Sequence, residues 1–145
     1  MEVDLSFLNS KRVYKELGKI QDIKNHVELK EKKGVYIITS EKQNFIYPKG
    51  KSQVIYIGKS DNLYRRLKAH NANAEYADDY KNDEEKIKNH FVYGVYNYIS
   101  EFGGEVFYIS THGLQTSKNL EAEILDEFYS KYFALPVGNS AFSFK

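Results

Sequence analysis

The chain of 145 residues is long enough for one domain with one hydrophobic core. Hydrophobic residues make up 41% and charged residues 28%, which excludes general disorder, and no apolar run is long enough to cross a bilayer. The sequence contains no cysteine, which excludes disulfides and cysteine-ligated zinc and leaves oxygen or imidazole ligands for any metal. Because the start also lacks a signal-peptide pattern, we expect one intracellular, cytoplasmic domain over residues 1–145.

The net charge of +1 conceals an uneven distribution along the chain. Residues 1–70 carry 15 Lys and Arg against 8 Asp and Glu, whereas residues 71–145 carry 6 against 12. If the fold keeps these halves apart, the basic half can attract phosphate while the whole chain stays near neutral. The alternative is that the charges are scattered unevenly over solvated faces.

The first thirty residues favour helical structure. Apolar residues recur there at near-helical spacing, at Val13, Leu17, Ile20 and Ile23. This periodicity predicts one amphipathic helix, or two short pieces with a break near Gly18, as an N-terminal helical extension over residues 1–30.

Two short apolar runs follow, GVYIIT at 34–39 and QVIYIG at 53–58, both rich in β-branched and aromatic residues. They predict an antiparallel hairpin with a long connection, in which residues 45–47 extend the strands. Next, NLYRRLKAH predicts a helix with Leu63 and Leu67 on its inner face. Its N-cap is expected at one of two adjacent residues, Ser60 or Asp61.

Residues 71–83 have no apolar period and predict an exposed loop. A second helix is then indicated by an apolar stripe and a glycine pair as its stop, at Ile87, Phe91, Val95, Tyr98, Phe102 and Gly103-Gly104. EVFYIST predicts a third strand, and a last helix capped by Ser117 ends before Pro136. The expected class is α+β, with a small three-stranded antiparallel (mixed) sheet flanked by helices.

Two tyrosines and an arginine are the best candidates for chemistry. In a chain with 13 tyrosines, Tyr36 and Tyr56 alone are more often packing residues, but Gly34 and Gly58 bracket them where a backbone or ligand can approach closely. Arg66 and His70 are four residues apart on one predicted helix, so both can reach one phosphate. The alternatives are a solvated basic face for the arginine and a helix-end cap for the histidine. The neighbouring Lys59 and Arg65 are further candidate phosphate contacts.

The segments GVY, YIG with Arg66 ten residues after Tyr56, and LEAEIL resemble the GIY-YIG nuclease family over residues 33–139. The resemblance implies a metal-dependent endonuclease that cleaves DNA, double-stranded or branched, with no membrane or obvious protein partner. The rival hypotheses are a non-cleaving nucleic-acid-binding module of the same fold and a protein interaction domain with a chance motif match. The longer stretch between the two tyrosines, with Lys49 and Lys51, suggests a specificity or contact element.

The resemblance also assigns roles to residues. Tyr36 orients the attacking water, Tyr56 positions the substrate, Arg66 stabilises developing charge, and His70 serves the leaving oxygen or a phosphate. Glu121, which precedes an aliphatic pair as in the family, is the expected ligand of one Mg²⁺ or Mn²⁺ ion and is preferred to Glu123. The expected substrate-binding residues are Gly34, Gly58, Lys59, Arg65 and Asn139. For the asparagine, a phosphate contact, an anchor for the terminal loop and a simple turn residue remain open.

Overall fold

The computed structural model describes residues 2–80, 94–112 and 114–140 of the chain. Within these ranges the chain forms six strands: β1 Lys15–Lys19, β2 Lys33–Thr39, β3 Phe45–Tyr47, β4 Gly50–Ser52, β5 Val54–Ser60 and β6 Glu105–Thr111. It also forms four α-helices: α1 Leu63–Tyr80, α2 Gly94–Phe102, α3 Leu114–Tyr132 and α4 Val137–Ser140. Two short 3₁₀ helices, Ile20–Asn25 and Val27–Leu29, connect β1 to β2. None of these helices has both the length and the apolar character that a membrane span requires.

Four strands form one antiparallel sheet in the order β1-β6-β2-β5. β2 pairs with β5 from Gly34 opposite Ser60 to Thr39 opposite Val54, which confirms the predicted hairpin. β6 pairs with the other side of β2 and corresponds to the predicted third strand. The α+β class is confirmed, but the expected number of three strands was wrong because β1 adds a fourth.

β1 occupies part of the segment for which a helix was predicted. Val13 is 82% exposed, so it does not share a buried face with its apolar neighbours. Gly18 has a φ of +110°, which is outside helical geometry, and lies at a register shift in the pairing of β1 with β6. This pairing satisfies the backbone groups along one side of β6, a long-range gain that local apolar spacing cannot reveal. Further along, the two 3₁₀ helices retain the helical part of the prediction and bury Ile20, Ile23 and Leu29.

Alternate side chains of the sheet enter two hydrophobic cores, one on each face. In β2, Tyr36 and Ile38 share a core with residues of α1, α2 and the 3₁₀ helices. Val35 and Ile37 instead share a core with α3 and with three N-terminal side chains, Leu5, Phe7 and Leu8. The two tyrosines of the motif therefore belong to the face that α1 and α2 cover.

α1 continues through residues 71–80, where an exposed loop was predicted over 71–83. The prediction was wrong as far as Tyr80, and the last three residues of that segment lie outside the described ranges. Ala74 and Ala77 are 5% and 6% exposed and continue the buried stripe of the first turns. Alanine is a strong helix former but contributes weakly to an apolar pattern, so the Asn- and Asp-rich composition concealed the helix.

Both predicted helix caps were wrong by a few residues. The side chain of Asn62 caps α1 by accepting a hydrogen bond from the Arg65 N–H at 3.0 Å. Ser60 is the last residue of β5, and its hydroxyl bonds to the backbone of Asn62. Ser117 lies inside the first turn of α3, and its hydroxyl oxygen is 2.5 Å from that of Thr111. In both cases the helix was predicted correctly, but its first residue differs from the predicted one.

The second predicted helix is described only from residue 94. Val95 is buried in α2, and Tyr98 and Phe102 are partly buried as expected, whereas Ile87 and Phe91 lie outside the described ranges. Gly103, with a φ of +77° and its N–H bonded to the carbonyl of Ile99, ends α2 as predicted.

Residues 45–52 form a separate two-stranded hairpin, β3-β4, instead of extending β2 and β5. Tyr47 is 7% exposed and packs its ring 5.3 Å from that of Phe128. The Lys49 N–H donates to the carbonyl of Tyr132 at 3.2 Å, at the C-terminal end of α3. The hairpin therefore covers the far end of the sheet, about 17 Å along β2 from Gly34.

Candidate active site

A groove of about 460 Å³ lies where β5 leads into the first turns of α1. Its lining residues are Lys59, Ser60, Asp61, Arg65, Arg66, Ala69 and Ser117. Three predicted site residues, all basic, line this groove: Lys59, Arg65 and Arg66. Its polar and basic lining has the composition expected of a phosphate contact surface.

Tyr36 and His70 form a buried pair beside the groove. Each side chain is 1% exposed, and the Tyr36 hydroxyl lies 2.6 Å from Nε2 of His70. The sequence placed these residues 34 positions apart, and the packing of α1 on β2 brings them together. Because α1 continues to Tyr80, His70 lies in the middle of the helix, so the helix-end cap considered for it was wrong.

Burial determines the protonation of this pair. It raises the pKa of Tyr36, and the nearby Tyr56 adds to the rise, so the phenol keeps its proton. Burial, assisted by the positive charge of Arg66, lowers the pKa of His70 to about 3, so the imidazole is neutral at neutral pH. The Tyr36 hydroxyl and Nε2 of His70 are therefore joined by a hydrogen bond between two neutral groups, and Nδ1 of His70 has no hydrogen-bond partner among the described residues.

The lowered pKa of His70 predicts a specific loss of stability in acid. Between pH 6.5 and about 3 the unfolded chain binds a proton at this position that the folded protein does not, so stability falls as the pH falls. The contribution approaches about 1.4 kcal/mol per pH unit. Urea unfolding from pH 7 to 4.5 should therefore show a shallower pH dependence in His70→Gln than in the wild type. The control is His112→Gln, at an exposed histidine, which should keep the wild-type pH dependence of stability. If the unfolding free energy changed with pH equally in all three proteins, the lowered pKa of His70 would be contradicted.

Arg66 connects the buried pair with the groove. Its guanidinium interacts with the Tyr36 hydroxyl and lies near Tyr56 and Tyr96. Desolvation alone would lower the pKa of Arg66, but these phenols outweigh it and the net pKa is raised. Tyr56 is half-buried, and burial raises its pKa although Arg66 opposes the rise. The site thus holds a permanent cation next to Tyr36 and Tyr56, whose raised pKa values keep both phenols protonated at neutral pH.

Tyr96 is a site residue that the sequence analysis missed. It lies on α2, is 7% exposed, and its ring centroid is 5.6 Å from that of His70. It also contributes to the raised pKa of Arg66. In the sequence it closes a second Gly-Val-Tyr triplet, Gly94-Val95-Tyr96, the same triplet as at Tyr36, and this signal could have singled it out among the 13 tyrosines.

Gly34 and Gly58 act through packing. Both are buried, and a Cβ on Gly34 would overlap the carbonyl of Ile109 on the neighbouring strand. A Cβ on Gly58 would lie 2.5 Å from the Tyr36 hydroxyl oxygen and 2.7 Å from the ring of Tyr56. The glycines are thus required for the close approach of protein atoms, and neither offers an exposed surface to a substrate.

Glu121 approaches the site from α3, across the edge of β5. It is half-buried, and burial raises its pKa, while the ammonium and the backbone N–H of Lys59 oppose the rise. It also lies close enough to Tyr56 to raise the pKa of that phenol. Glu123, the alternative carboxylate, forms an ion pair with Arg12 at 2.8 Å on the other side of α3. The geometry therefore favours Glu121 as the carboxylate of the site.

A divalent cation fits this site only if one carboxylate suffices. Among the described residues there is no group of three or more His, Cys, Asp or Glu side chains that could hold a metal. Mg²⁺ commonly binds one or two carboxylates and completes its shell with waters and substrate phosphate. Glu121 offers such an oxygen donor next to the groove, whereas the Nε2 atom of His70 is buried and occupied by Tyr36. The donor set thus suits a hard cation shared with a phosphate.

Asn139 anchors the C-terminal segment to the open edge of β5. Its side-chain amide accepts from the Ile57 N–H at 2.9 Å and donates to the Ile57 carbonyl at 2.8 Å. Two residues further along the same edge, the Lys59 N–H faces the carboxylate of Glu121. Among the three roles considered for Asn139, the structure supports the anchor for the terminal loop, because both polar atoms of its side-chain amide are hydrogen-bonded to the backbone of Ile57.

Asn139→Ala should destabilise the protein by about 1–3 kcal/mol, because both backbone groups of Ile57 lose their partner. DNA affinity should be unchanged, since the amide is committed to the strand. Denaturant unfolding and DNA titration measure the two effects separately. Asn119→Ala, which removes an exposed amide on α3 bonded to Gln115, should change stability by less than about 0.5 kcal/mol. Weaker DNA binding with unchanged stability in Asn139→Ala would instead favour a phosphate contact.

Comparison with protein-family models gives a match to the GIY-YIG catalytic domain over residues 32–132. The match spans both tyrosines, Arg66, His70 and Glu121, and ends before Asn139. Comparisons with curated proteins and with solved structures found no match. The matched region covers well over half of the chain and includes every side chain gathered around the groove except those of the terminal anchor. The chain therefore belongs to the GIY-YIG catalytic domain family.

Proposed function

We propose that the protein is a metal-dependent endonuclease that hydrolyses phosphodiester bonds in DNA. The observation that carries this proposal is the convergence of Arg66, Tyr56 and Glu121, from three separate elements, at one edge of a basic groove. A guanidinium, a phenol and a carboxylate are the groups that phosphate binding, water orientation and metal binding require. Nuclease activity is what the family implies, and the DNA substrate and the metal are our inference.

Arg66 is suited to hold the scissile phosphate. The residue is exposed and lines the groove, and its guanidinium lies near the phenols of Tyr36, Tyr56 and Tyr96, which fix its orientation. Two parallel N–H donors can bind two phosphate oxygens and stabilise the charge that develops as water attacks phosphorus and the bond to the leaving 3′ oxygen breaks. Products with 5′ phosphate and 3′ hydroxyl ends follow from this direction of cleavage.

Tyr56 is better suited than Tyr36 to contact the attacking water. Tyr36 is almost fully buried and its hydroxyl is hydrogen-bonded to His70, so we revise its expected role to that of a brace for Arg66. Tyr56 is only half-buried and lies between Arg66 and Glu121. Its raised pKa keeps the phenol protonated at neutral pH, so it would orient the water through its hydroxyl and not as a phenolate.

Glu121 would hold one Mg²⁺ or Mn²⁺ ion together with the substrate phosphate. When bound, such an ion supplies Lewis-acid stabilisation of the phosphoryl oxygens and lowers the pKa of coordinated water. The half-buried carboxylate is an acceptor with a raised pKa, so a cation at this position would also favour its ionised form. His70 has no direct contact with substrate in this scheme, since it is buried behind Tyr36.

The direct test is incubation with supercoiled plasmid in Mg²⁺, in Mn²⁺ and in EDTA. We expect nicked and linear products with either metal and none in EDTA. Fluorescence-detected binding of a labelled duplex in EDTA provides an independent readout of the interface. Binding without cleavage under every metal condition would favour a non-cleaving DNA-binding module, and the absence of both would contradict the proposed function.

A further inference from the structure

Outside the groove, the first turns of α1 carry a second basic feature, formed by Lys30, Tyr64 and Lys68. The ammonium of Lys30 lies 5.3 Å from the centroid of the Tyr64 ring, and that of Lys68 lies 5.7 Å from it. Both lysines are exposed and the tyrosine is partly buried. A single anchored ring thus holds two positive charges that come from different parts of the chain.

The charges along α1 are sorted by position. Its first half carries Arg65, Arg66 and Lys68, whereas its second half carries Glu75, Asp78 and Asp79. These carboxylates line a separate groove of about 580 Å³ together with Glu41 and Glu101, so that five carboxylates there outnumber two lysines, Lys19 and Lys42. The helix is about 27 Å long, so a polyanion placed along its whole length would meet repulsion at the far end. Charge complementarity therefore confines DNA to the first turns.

Lys30, Tyr64 and Lys68 are continuous with the proposed active site. Lys32, two residues after Lys30, accepts a hydrogen bond from the Leu63 N–H at 2.8 Å, which fixes this loop against the start of α1. By helical periodicity, Arg65 lies between the groove side of α1, where Arg66 is, and the side of Tyr64 and Lys68. The basic residues thus form a path from the groove across the outer surface of the helix.

Among the described residues, Lys30 forms no ion pair with a carboxylate. Glu28, on the preceding 3₁₀ turn, points to His26, with an Oε1 to Nδ1 distance of 3.1 Å. The ammonium of Lys30 is instead directed to the Tyr64 ring. Holding a long lysine side chain in place before binding reduces the conformational entropy that a phosphate contact would otherwise cost.

We infer that Lys30 and Lys68, held by Tyr64, bind backbone phosphates of the DNA that flanks the cleaved bond, with the strand crossing the first turns of α1. This inference rests on the proposed nuclease function and adds the direction in which the substrate leaves the groove. It also differs from the expectation that Lys49 and Lys51 contact DNA, because the hairpin that carries them covers the opposite end of the sheet.

The test compares two double variants, Lys30→Gln/Lys68→Gln and Lys49→Gln/Lys51→Gln. The control pair is matched, since Lys49 also lies over an aromatic ring, 4.8 Å from the centroid of Phe133, and both of its lysines are exposed. Binding of a labelled 30-base-pair duplex is measured in EDTA across a salt series. Two lost phosphate contacts should reduce the log–log salt slope by about two units in the first variant, and the control should keep the wild-type slope.

A third variant, Tyr64→Leu, separates preorganisation from charge. It keeps both lysines, so the salt slope should stay near that of the wild type while the affinity falls about two- to fivefold. A wild-type slope in Lys30→Gln/Lys68→Gln, or an equal reduction in both double variants, would overturn the inference and leave the nuclease proposal intact. Failure of the wild-type protein to bind duplex at any salt concentration would overturn both. Thermal unfolding of each variant verifies that the fold is retained.

Discussion

Replacing Glu121 by glutamine should abolish DNA cleavage while leaving DNA affinity within about threefold of the wild type. The substitution keeps the size and the hydrogen-bonding shape of the side chain but removes the negative charge that a divalent cation requires. Affinity should persist because it comes mainly from Lys and Arg contacts to phosphate. We expect the cleavage rate to fall by at least about a thousandfold, equivalent to about 4 kcal/mol. Plasmid cleavage in Mg²⁺ and duplex binding in EDTA measure the two quantities.

Glu123→Gln is the matched control, two residues away on the same helix. Its carboxylate pairs with Arg12 at 2.8 Å, and Arg12 keeps a second partner in Glu127 at 2.7 Å. We therefore expect near-normal cleavage and a stability change below about 1 kcal/mol for this exposed carboxylate. Normal cleavage by Glu121→Gln together with inactive Glu123→Gln would show that the metal ligand lies on the other side of α3.

The parts of the fold that could be predicted from sequence were those whose signal is local. β2, β5 and β6 are short apolar runs with β-branched and aromatic residues, and α3 has a regular apolar stripe. β1 escaped prediction because it is stabilised by pairing with a strand some ninety residues away, not by its own composition. The second half of α1 was not predicted because small alanines, and not large apolar residues, form its buried face.

For the candidate site, too, the features with a local sequence signal could be predicted and those that depend on long-range packing could not. The spacing of Tyr56 and Arg66 and the choice of Glu121 could be made from motifs, and the structure brings all three to one edge of the groove. The burial of Tyr36 could not be predicted from the sequence, because it depends on the packing of α1 and α2 against the sheet. Tyr96 closes a second Gly-Val-Tyr triplet, at residues 94–96, but its place beside His70 is a property of helix packing that the triplet alone does not reveal. The motifs therefore pointed to side chains that the fold brings together, but not to the buried residues packed around them.

Arg66→Lys should lower the cleavage rate by about a hundred- to a thousandfold, although the positive charge is kept. A lysine ammonium offers no planar pair of donors, so it cannot hold two phosphate oxygens at once. It also cannot reproduce the contacts of the guanidinium with Tyr36, Tyr56 and Tyr96, which fix its orientation. A loss of this size, about 2.7–4 kcal/mol, is typical when one donor that stabilises developing charge is removed. Single-turnover cleavage at saturating enzyme separates this effect from binding.

The control for Arg66 is its neighbour Arg65, which is exposed and pairs with Asp61 at 3.3 Å. Arg65→Lys keeps a mobile surface charge and should cleave within about threefold of the wild-type rate, with the same salt dependence of binding. If Arg66→Lys also cleaved at the wild-type rate, point charge alone would suffice at both positions. The phenols around Arg66 would then serve the packing of α1 on the sheet, and the group that stabilises the leaving 3′ oxygen would have to be sought elsewhere along the groove.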